Sequence, residues 1–178
     1  MLQRIQTIYM SLAVVAMAAC FLFPIATFDT TMPSLDLPVE GELRMVPQAA
    51  SNIQEQMING EPVFITQQGF INVWPLVALL VLAALTTVVS VFMYKNRVRQ
   101  MRFVMLPFLL CAIDFFLIFI WAVDTFVKNA TTPLSCTEVH VTYGVGTWAV
   151  AVAMVLLYLA HRAIKKDEAK VRAADRLR

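Results

Sequence analysis

The stretch that decides the fold is FVMLPFLLCAIDFFLIFIWAVDTFV, which runs from Phe103 to Val127. A helix needs about 20 mostly apolar residues to cross the hydrocarbon core of a bilayer, and this stretch is long enough. The whole chain has 178 residues, of which 60% are hydrophobic and only 15% are charged. Soluble domains are about 45–50% apolar and about 25% charged. The composition therefore predicts a membrane protein and argues against a soluble globule, a disulfide scaffold or a nucleic-acid binder.

Three further stretches are apolar and long enough to cross a bilayer. Each must form a helix there, because the bilayer core offers no water to pair with backbone N–H and C=O groups. We expect an all-α membrane protein, a single domain built as a bundle of four transmembrane helices. The predicted spans are 5–28, 71–94, 103–127 and 141–163, with an outer loop at 29–70 and a tail at 164–178.

The outer loop between the first two spans carries a hairpin signal. Asn59-Gly60 lies between two short apolar segments, and Asn-Gly is the strongest two-residue hairpin signal. Pro62 weakens it, because proline belongs at strand edges. We expect a small extracytoplasmic loop or hairpin that caps the bundle.

Lysine and arginine are sorted to one side of the predicted bundle. Twelve of the fourteen basic residues lie before span one, between spans two and three, or at the end of span four and beyond it. Basic residues near span ends favour the cytoplasmic side, so both termini are expected in the cytoplasm. A removable signal segment ending near Cys20 is the alternative, and it would leave three spans with the N-terminus outside.

Asp114 is the one ionisable residue at mid-depth in any predicted span. A carboxylate there costs roughly 2.5–3.5 kcal/mol, and such residues suggest a function by default. It could bind a proton or cation or contact another subunit. It could instead be a protonated carboxyl that hydrogen-bonds a neighbouring helix, for which span two offers Thr86, Thr87 and Ser90. We favour this structural interpretation, because a transport relay usually needs more than one ionisable group.

No residue pattern points to catalysis, a metal or a cofactor. His140 and His161 fall on opposite sides of the predicted membrane, so they form no metal cluster. The sequence has no phosphate-binding glycine loop, no HExxH helix and no nucleophile elbow. We therefore expect a non-enzymatic protein with no metal and no cofactor.

The residues after span four favour a continued helix. They contain neither glycine nor proline, and Glu168 and Arg172 form a favourable i,i+4 pair. One interpretation is a basic end that fixes the orientation and touches anionic lipid. The other is a helix that docks a cytoplasmic or membrane partner.

The two chain ends and the link between spans two and three resemble a family of small bacterial four-span proteins of unknown function. The resemblance rests on MLQRIQTIY at 1–9, YKNR at 94–97, AIKKDE at 163–168 and VRAADRLR at 171–178. It implies a multi-pass protein of the inner (cytoplasmic) membrane of a Gram-negative bacterium. It lends no role to Asp114, which lies outside these motifs.

These motifs all lie on the predicted cytoplasmic face, and orientation by charge alone does not require their polar residues. We expect them to form a docking surface on an accessory or scaffold subunit of a larger envelope complex. The partners would be the lipid bilayer and other membrane subunits or further copies of this chain. The alternative function is a small proton- or cation-coupled transporter component that uses Asp114. The docking candidates are Gln3, Arg4, Gln6, Lys95, Asn96, Arg97, Asp167, Glu168, Arg172, Asp175 and Arg176.

Overall fold

The structure, a computed structural model, describes residues 3–32, 37–45, 53–58, 61–66, 73–93, 97–125, 128 and 139–176. Its described part contains four helices long and apolar enough to cross a membrane. This confirms the predicted four-helix architecture. The helices are α1 (Gln3–Leu22), α2 (Trp74–Phe92), α3 (Arg97–Leu117) and α4 (Val145–Arg176).

The first helix is shorter than its predicted span of 5–28. It ends at Leu22, and the chain has already entered a strand at Ala26. Pro24 explains the difference, because proline lacks an N–H and disfavours helical geometry in the residue before it. The apolar side chains of Ile25 and Ala26 are buried, but as part of the turn and strand rather than of the helix.

The third helix extends beyond its regular α-helical part. A π-helical segment, Ile118–Ala122, follows directly, and helical structure continues to residue 125. Together they give an apolar helix over Arg99–Thr125. Pro107 lies inside α3 and is buried, and its missing N–H removes one i to i−4 hydrogen bond.

The fourth helix confirms the predicted continuation into the tail. It is 32 residues long, or about 48 Å at the rise of an α-helix. The hydrocarbon core of a bilayer is about 30 Å thick. The C-terminal part of α4 therefore projects beyond any segment that a bilayer could cover.

Two small antiparallel sheets occur in the described parts of the loops. In the first, β1 (Ala26–Met32) is central and pairs with β2 (Leu37–Leu43) and β5 (Val139–Tyr143). In the second, β3 (Ile53–Ile58) pairs with β4 (Glu61–Thr66). The strands on both sides of Asn59-Gly60 confirm the predicted hairpin, although these two residues lie outside the described ones.

The pairing of β1 with β5 was not predicted. Ala26 lies opposite Tyr143, so the residues that leave α1 and those that enter α4 are side by side. The loops after α1 and before α4 therefore lie at one end of the bundle, here called the sheet end. The start of α1 and the end of α4 lie at the other, here called the tail end.

The helices bury a narrow apolar core and expose a broad apolar surface. α1 packs against α4, α2 against α3, and α3 against α4. Outward-facing side chains such as Leu22, Phe92 and Ile120 are 71–74% exposed. Soluble monomers rarely expose continuous apolar surface on this scale. These faces fit contact with lipid, and the chain is a multi-pass membrane protein.

Candidate functional site

Backbone hydrogen bonds at the sheet end join the turn after α1 to the start of α4. The N–H of Gly144 donates to the carbonyl of Ile25 at 2.7 Å, and that of Gly146 donates to Pro24 at 2.9 Å. The Thr147 hydroxyl also donates to the Ile25 carbonyl at 2.8 Å. Neither Gly144 nor Gly146 has room for a side chain, because a Cβ would meet the Pro24 oxygen at 2.3 and 2.9 Å. These contacts fix the start of α4 beside the end of α1.

Asp114 is fully buried on the face of α3 that turns toward this junction. Cys111 and Ile118, about one helical turn before and after it, are also fully buried. The thiols of Cys20 and Cys111 lie near its carboxyl group. Cys20 in turn lies against α4, where its Sγ donates to the Gly146 carbonyl at 3.4 Å. Asp114 therefore lies where α1, α3 and α4 meet.

The carboxyl of Asp114 has no hydrogen-bond partner among the described residues. Both Oδ1 and Oδ2 are buried and unpaired. An unsatisfied buried polar group costs about 1–3 kcal/mol, and more when it is charged. Such a group is uncommon in a well-packed interior and requires an explanation.

The structure does not bring Asp114 together with the hydroxyls of α2. Thr87 donates to the carbonyl of Ala83 at 2.7 Å, and Thr86 donates to Leu82 and Ala83 at 2.8 and 3.0 Å. Both threonines therefore bond within their own helix. Ser90 Oγ is buried without a partner within the described part of the chain.

Helix geometry explains why these residues are apart. Asp114 lies about 25 Å along α3 from Arg97, where this helix begins. α2 ends at Phe92, just before that point in the chain. The same distance measured back along α2 from Phe92 reaches Pro75. Measured along the axis of α2, Thr87 is only about 8 Å from Phe92. Asp114 is thus level with the sheet end of α2, whereas the three hydroxyl residues lie toward its other end.

Cys20 and Cys111 are buried free thiols beside Asp114. Within the described ranges, no group of three or more His, Cys, Asp or Glu side chains could hold a metal ion. The only sequence signal for this cluster is the spacing of Cys111 and Asp114, which places both on one face of α3. Nothing in the sequence points to Cys20 as their neighbour.

At the tail end, two of the docking candidates contact each other. Gln6 Nε2 donates to Asp167 Oδ2 at 3.3 Å, and the two residues are only 4% and 8% exposed. They join the beginning of α1 to the end of α4 instead of facing outward. Glu168 and Arg172 form the predicted i,i+4 ion pair.

The remaining docking candidates are only partly described. Lys95 and Asn96 lie outside the described residues. Five others lie in described helices, but their side chains are outside the described part of the structure. These are Gln3, Arg4, Arg97, Asp175 and Arg176.

A groove lies beside the Gln6–Asp167 contact, between α1 and α4. Its volume is about 250 Å³, and Gln6 and Asp167 form part of its wall. Apolar side chains line one part and basic side chains the other. The tail-end groove is lined by Ile5, Tyr9, Leu159, Arg162, Lys166 and Lys170.

The fold and the arrangement of polar residues define the class of this molecule. It is a multi-pass helical-bundle protein with a small sheet at one end and a projecting charged helix at the other. The family described as Domain of unknown function (DUF4293) matches residues 2–177, and the chain belongs to this family. No curated protein and no solved structure matches the chain. The membership confirms the expected resemblance to an uncharacterised family.

Proposed function

We propose that this protein is a non-enzymatic accessory or scaffold subunit of a larger complex in the bacterial inner membrane. The projecting part of α4 is the observation that carries the proposal. Its residues Lys170, Val171 and Arg172 are all exposed, and Val171 places an apolar side chain there that is 43% exposed. This part of α4 projects beyond the bundle and carries both charged side chains and an exposed apolar one. It therefore offers a surface to which a partner protein can bind.

The charge distribution supports a cytoplasmic position for this surface. The basic residues of the sequence gather at the tail end, where α1 begins and α4 projects. Basic residues near span ends favour the cytoplasm. The proposal therefore places the tail end in the cytoplasm and the sheet end outside.

The docking surface is narrower than the sequence alone predicts. Gln6 and Asp167 are buried against each other, so they position α4 and do not present themselves to a partner. Lys170, Val171 and Arg172 remain as the described, exposed part of the surface, and the Glu168 side chain that pairs with Arg172 is only 12% exposed. The Glu168–Arg172 pair lies along one side of the helix.

A charge exchange tests this proposal, and thermal unfolding of the variant is measured alongside because the Glu168 side chain is only 12% exposed. The double variant Glu168→Arg and Arg172→Glu keeps the net charge and an i,i+4 pair of opposite charges. The full-length protein is purified gently through a C-terminal tag, and co-purifying membrane proteins are identified by mass spectrometry. We expect a reproducible set of partners with the wild type and its loss with the variant.

The matched control is the same exchange at the opposite end. Glu42 and Arg44 form an exposed ion pair with an Nε–Oε2 distance of 2.7 Å. Glu42→Arg with Arg44→Glu should leave the partner set unchanged. Retention of the same partners by the α4 variant would reject docking through this surface.

Asp114 supports a second candidate function, binding of a proton or cation within the bundle. The supporting observation is its fully buried carboxyl group without a hydrogen-bond partner in the described structure. The test is proton flux into vesicles that contain the purified protein and an internal pH-sensitive dye, driven by a potassium diffusion potential. Asp114→Asn should abolish the flux, because an amide cannot ionise.

Asp124 provides the control for this test. It lies in the same helix but is exposed, and it forms an ion pair with Lys128 at 2.6 Å. Asp124→Asn should leave the flux unchanged. Equal flux through the wild type and Asp114→Asn would exclude this carboxyl as the coupling group.

A further inference from the structure

The tail-end groove has the two chemical halves of an amphipathic binding site. Ile5 and Tyr9 line the groove from α1, and Leu159 lines its inner end from α4. Arg162, Lys166 and Lys170 follow at intervals of four residues along α4, so their side chains lie along one side of the helix, one turn apart. The α1 wall of the groove is therefore mainly apolar, and the α4 wall beyond Leu159 is mainly basic.

The three basic side chains are available for a ligand. All three are exposed, and none has an ion-pair partner within the described part of the chain. The one acidic group in the groove wall is Asp167, whose Oδ2 accepts a hydrogen bond from Gln6. The described lining therefore has a net charge of about two positive units, counting three cations and one carboxylate.

The position of the groove restricts the kind of ligand. It opens between α1 and α4 where the apolar helix gives way to the charged tail, which is the level of lipid headgroups when the bundle lies in a bilayer. Basic pockets between helices at that level bind anionic headgroups. A soluble anion would not need the apolar wall formed by Ile5, Tyr9 and Leu159.

We propose that the tail-end groove is a binding site for one anionic phospholipid. Arg162 and Lys166 hold the phosphate, and Lys170 lies at the open end, within reach of the rest of the headgroup. Arginine suits this role because its planar group of N–H donors matches phosphate oxygens. One acyl chain lies along Tyr9 and Leu159 toward the centre of the bundle.

The test measures lipid binding to the full-length protein in detergent. Dioleoyl phosphatidylglycerol is titrated into the purified protein, and the bound fraction is read by native mass spectrometry. Dioleoyl phosphatidylcholine, which has no net charge, should bind at least fivefold more weakly. Lys166→Gln should weaken phosphatidylglycerol binding about fivefold, the factor that corresponds to about 1 kcal/mol for one basic residue.

The neighbouring residue gives a matched control. Lys165 is also exposed, but it does not line the groove. Lys165→Gln removes the same charge one position along the chain and should leave the affinity within twofold of the wild type. Both variants change exposed side chains, so equal thermal unfolding would show that neither disturbs the fold.

Four outcomes would overturn the proposal. An equal loss with Lys165→Gln and Lys166→Gln would indicate diffuse charge attraction without a site. Equal affinity for glycerophosphoglycerol, the same headgroup without acyl chains, would indicate a site for a soluble phosphodiester. The proposal would also fail if phosphatidylglycerol did not bind, or if Lys166→Gln bound it as tightly as the wild type does. The groove would then bind another ligand, such as an acidic protein segment.

Discussion

Substitution of Gly144 by alanine tests the junction that holds α4 against the end of α1. Gly144 lies directly before α4, and its N–H donates to the Ile25 carbonyl at 2.7 Å. A Cβ at this position would be 2.3 Å from the carbonyl oxygen of Pro24, where ordinary contacts are 3.4 Å or longer. The obstacle is backbone, so no side chain can rotate away to make room.

The expected cost follows from these contacts. Overpacking that forces the backbone to shift costs about 1–3 kcal/mol, and one strained hydrogen bond adds about 1 kcal/mol. We therefore expect Gly144→Ala to lower the free energy of unfolding by about 2–4 kcal/mol. For a chain of this size, that corresponds to a fall in Tm of roughly 4–16 °C.

Thermal unfolding of the purified protein in detergent measures the effect, and two adjacent residues calibrate it. Val145→Ala changes a side chain that is 57% exposed and should shift the free energy of unfolding by no more than about 0.5 kcal/mol. The loss of unfolding free energy for Gly146→Ala should lie between those for Gly144→Ala and Val145→Ala, because its Cβ would meet the Pro24 oxygen at the longer distance of 2.9 Å. Alanine also favours helix over glycine by about 0.8–1.0 kcal/mol. If Gly144→Ala unfolded at the same temperature as Val145→Ala, the junction would not be tightly packed.

The same unfolding assay checks three further substitutions. Asp114→Leu should raise the free energy of unfolding by about 1–3 kcal/mol, because it removes an unpaired buried polar group, and a fall would mean that the carboxyl has a stabilising partner. Thr147→Val removes the hydroxyl that donates to Ile25 and should cost about 1 kcal/mol; an unchanged Tm would contradict that role. Gln6→Leu removes the hydrogen bond to Asp167 and should cost about 1.5–3 kcal/mol, since the acceptor is charged. An unchanged free energy of unfolding for Gln6→Leu would mean that this hydrogen bond does not hold the tail end of α4.

Features that depend on local composition could be predicted from the sequence. Four apolar stretches of sufficient length predict four helices, because lipid permits little else. The unbroken run of helix formers after Ile164 predicts the continuation of α4. Asn59-Gly60 predicts β3 and β4, because its turn geometry joins neighbouring strands.

Features that depend on contacts between distant residues could not be predicted in this way. The pairing of β1 with β5 joins residues more than a hundred positions apart, and neither strand carries a local signal for the other. The same holds for Gln6 and Asp167, which are 161 positions apart. Their polar character at the chain ends suggests an exposed surface, whereas the helix pairing buries both.

The environment of Asp114 was only half predictable. Its mid-depth position follows from the apolar stretch, but its burial and its neighbours depend on how the helices pack, since Ile113 and Phe116 in the same helix are 49% and 62% exposed. Cys20 lies about 25 Å from the start of α1, and Asp114 lies the same distance from the start of α3, so the two reach the same level of the bundle. The hydroxyl residues of α2 were the polar candidates that the sequence offered, and helix geometry places them away from Asp114.

The contacts between α1 and α4 suggest how the projecting helix is positioned. In lipid, apolar helices gain little free energy by burying apolar surface against each other, so close packing and polar contacts must hold them together. The middle of this pair is apolar, with fully buried small residues such as Ala13, Ala153 and Ala160. The described polar contacts lie at its ends, at the Gly144–Thr147 junction and at the Gln6–Asp167 pair. A slide of α4 by one helical turn, about 5.4 Å, would break both sets at once. The sheet-end junction therefore helps to set where the docking surface and the tail-end groove lie, although it is at the opposite end of the helix.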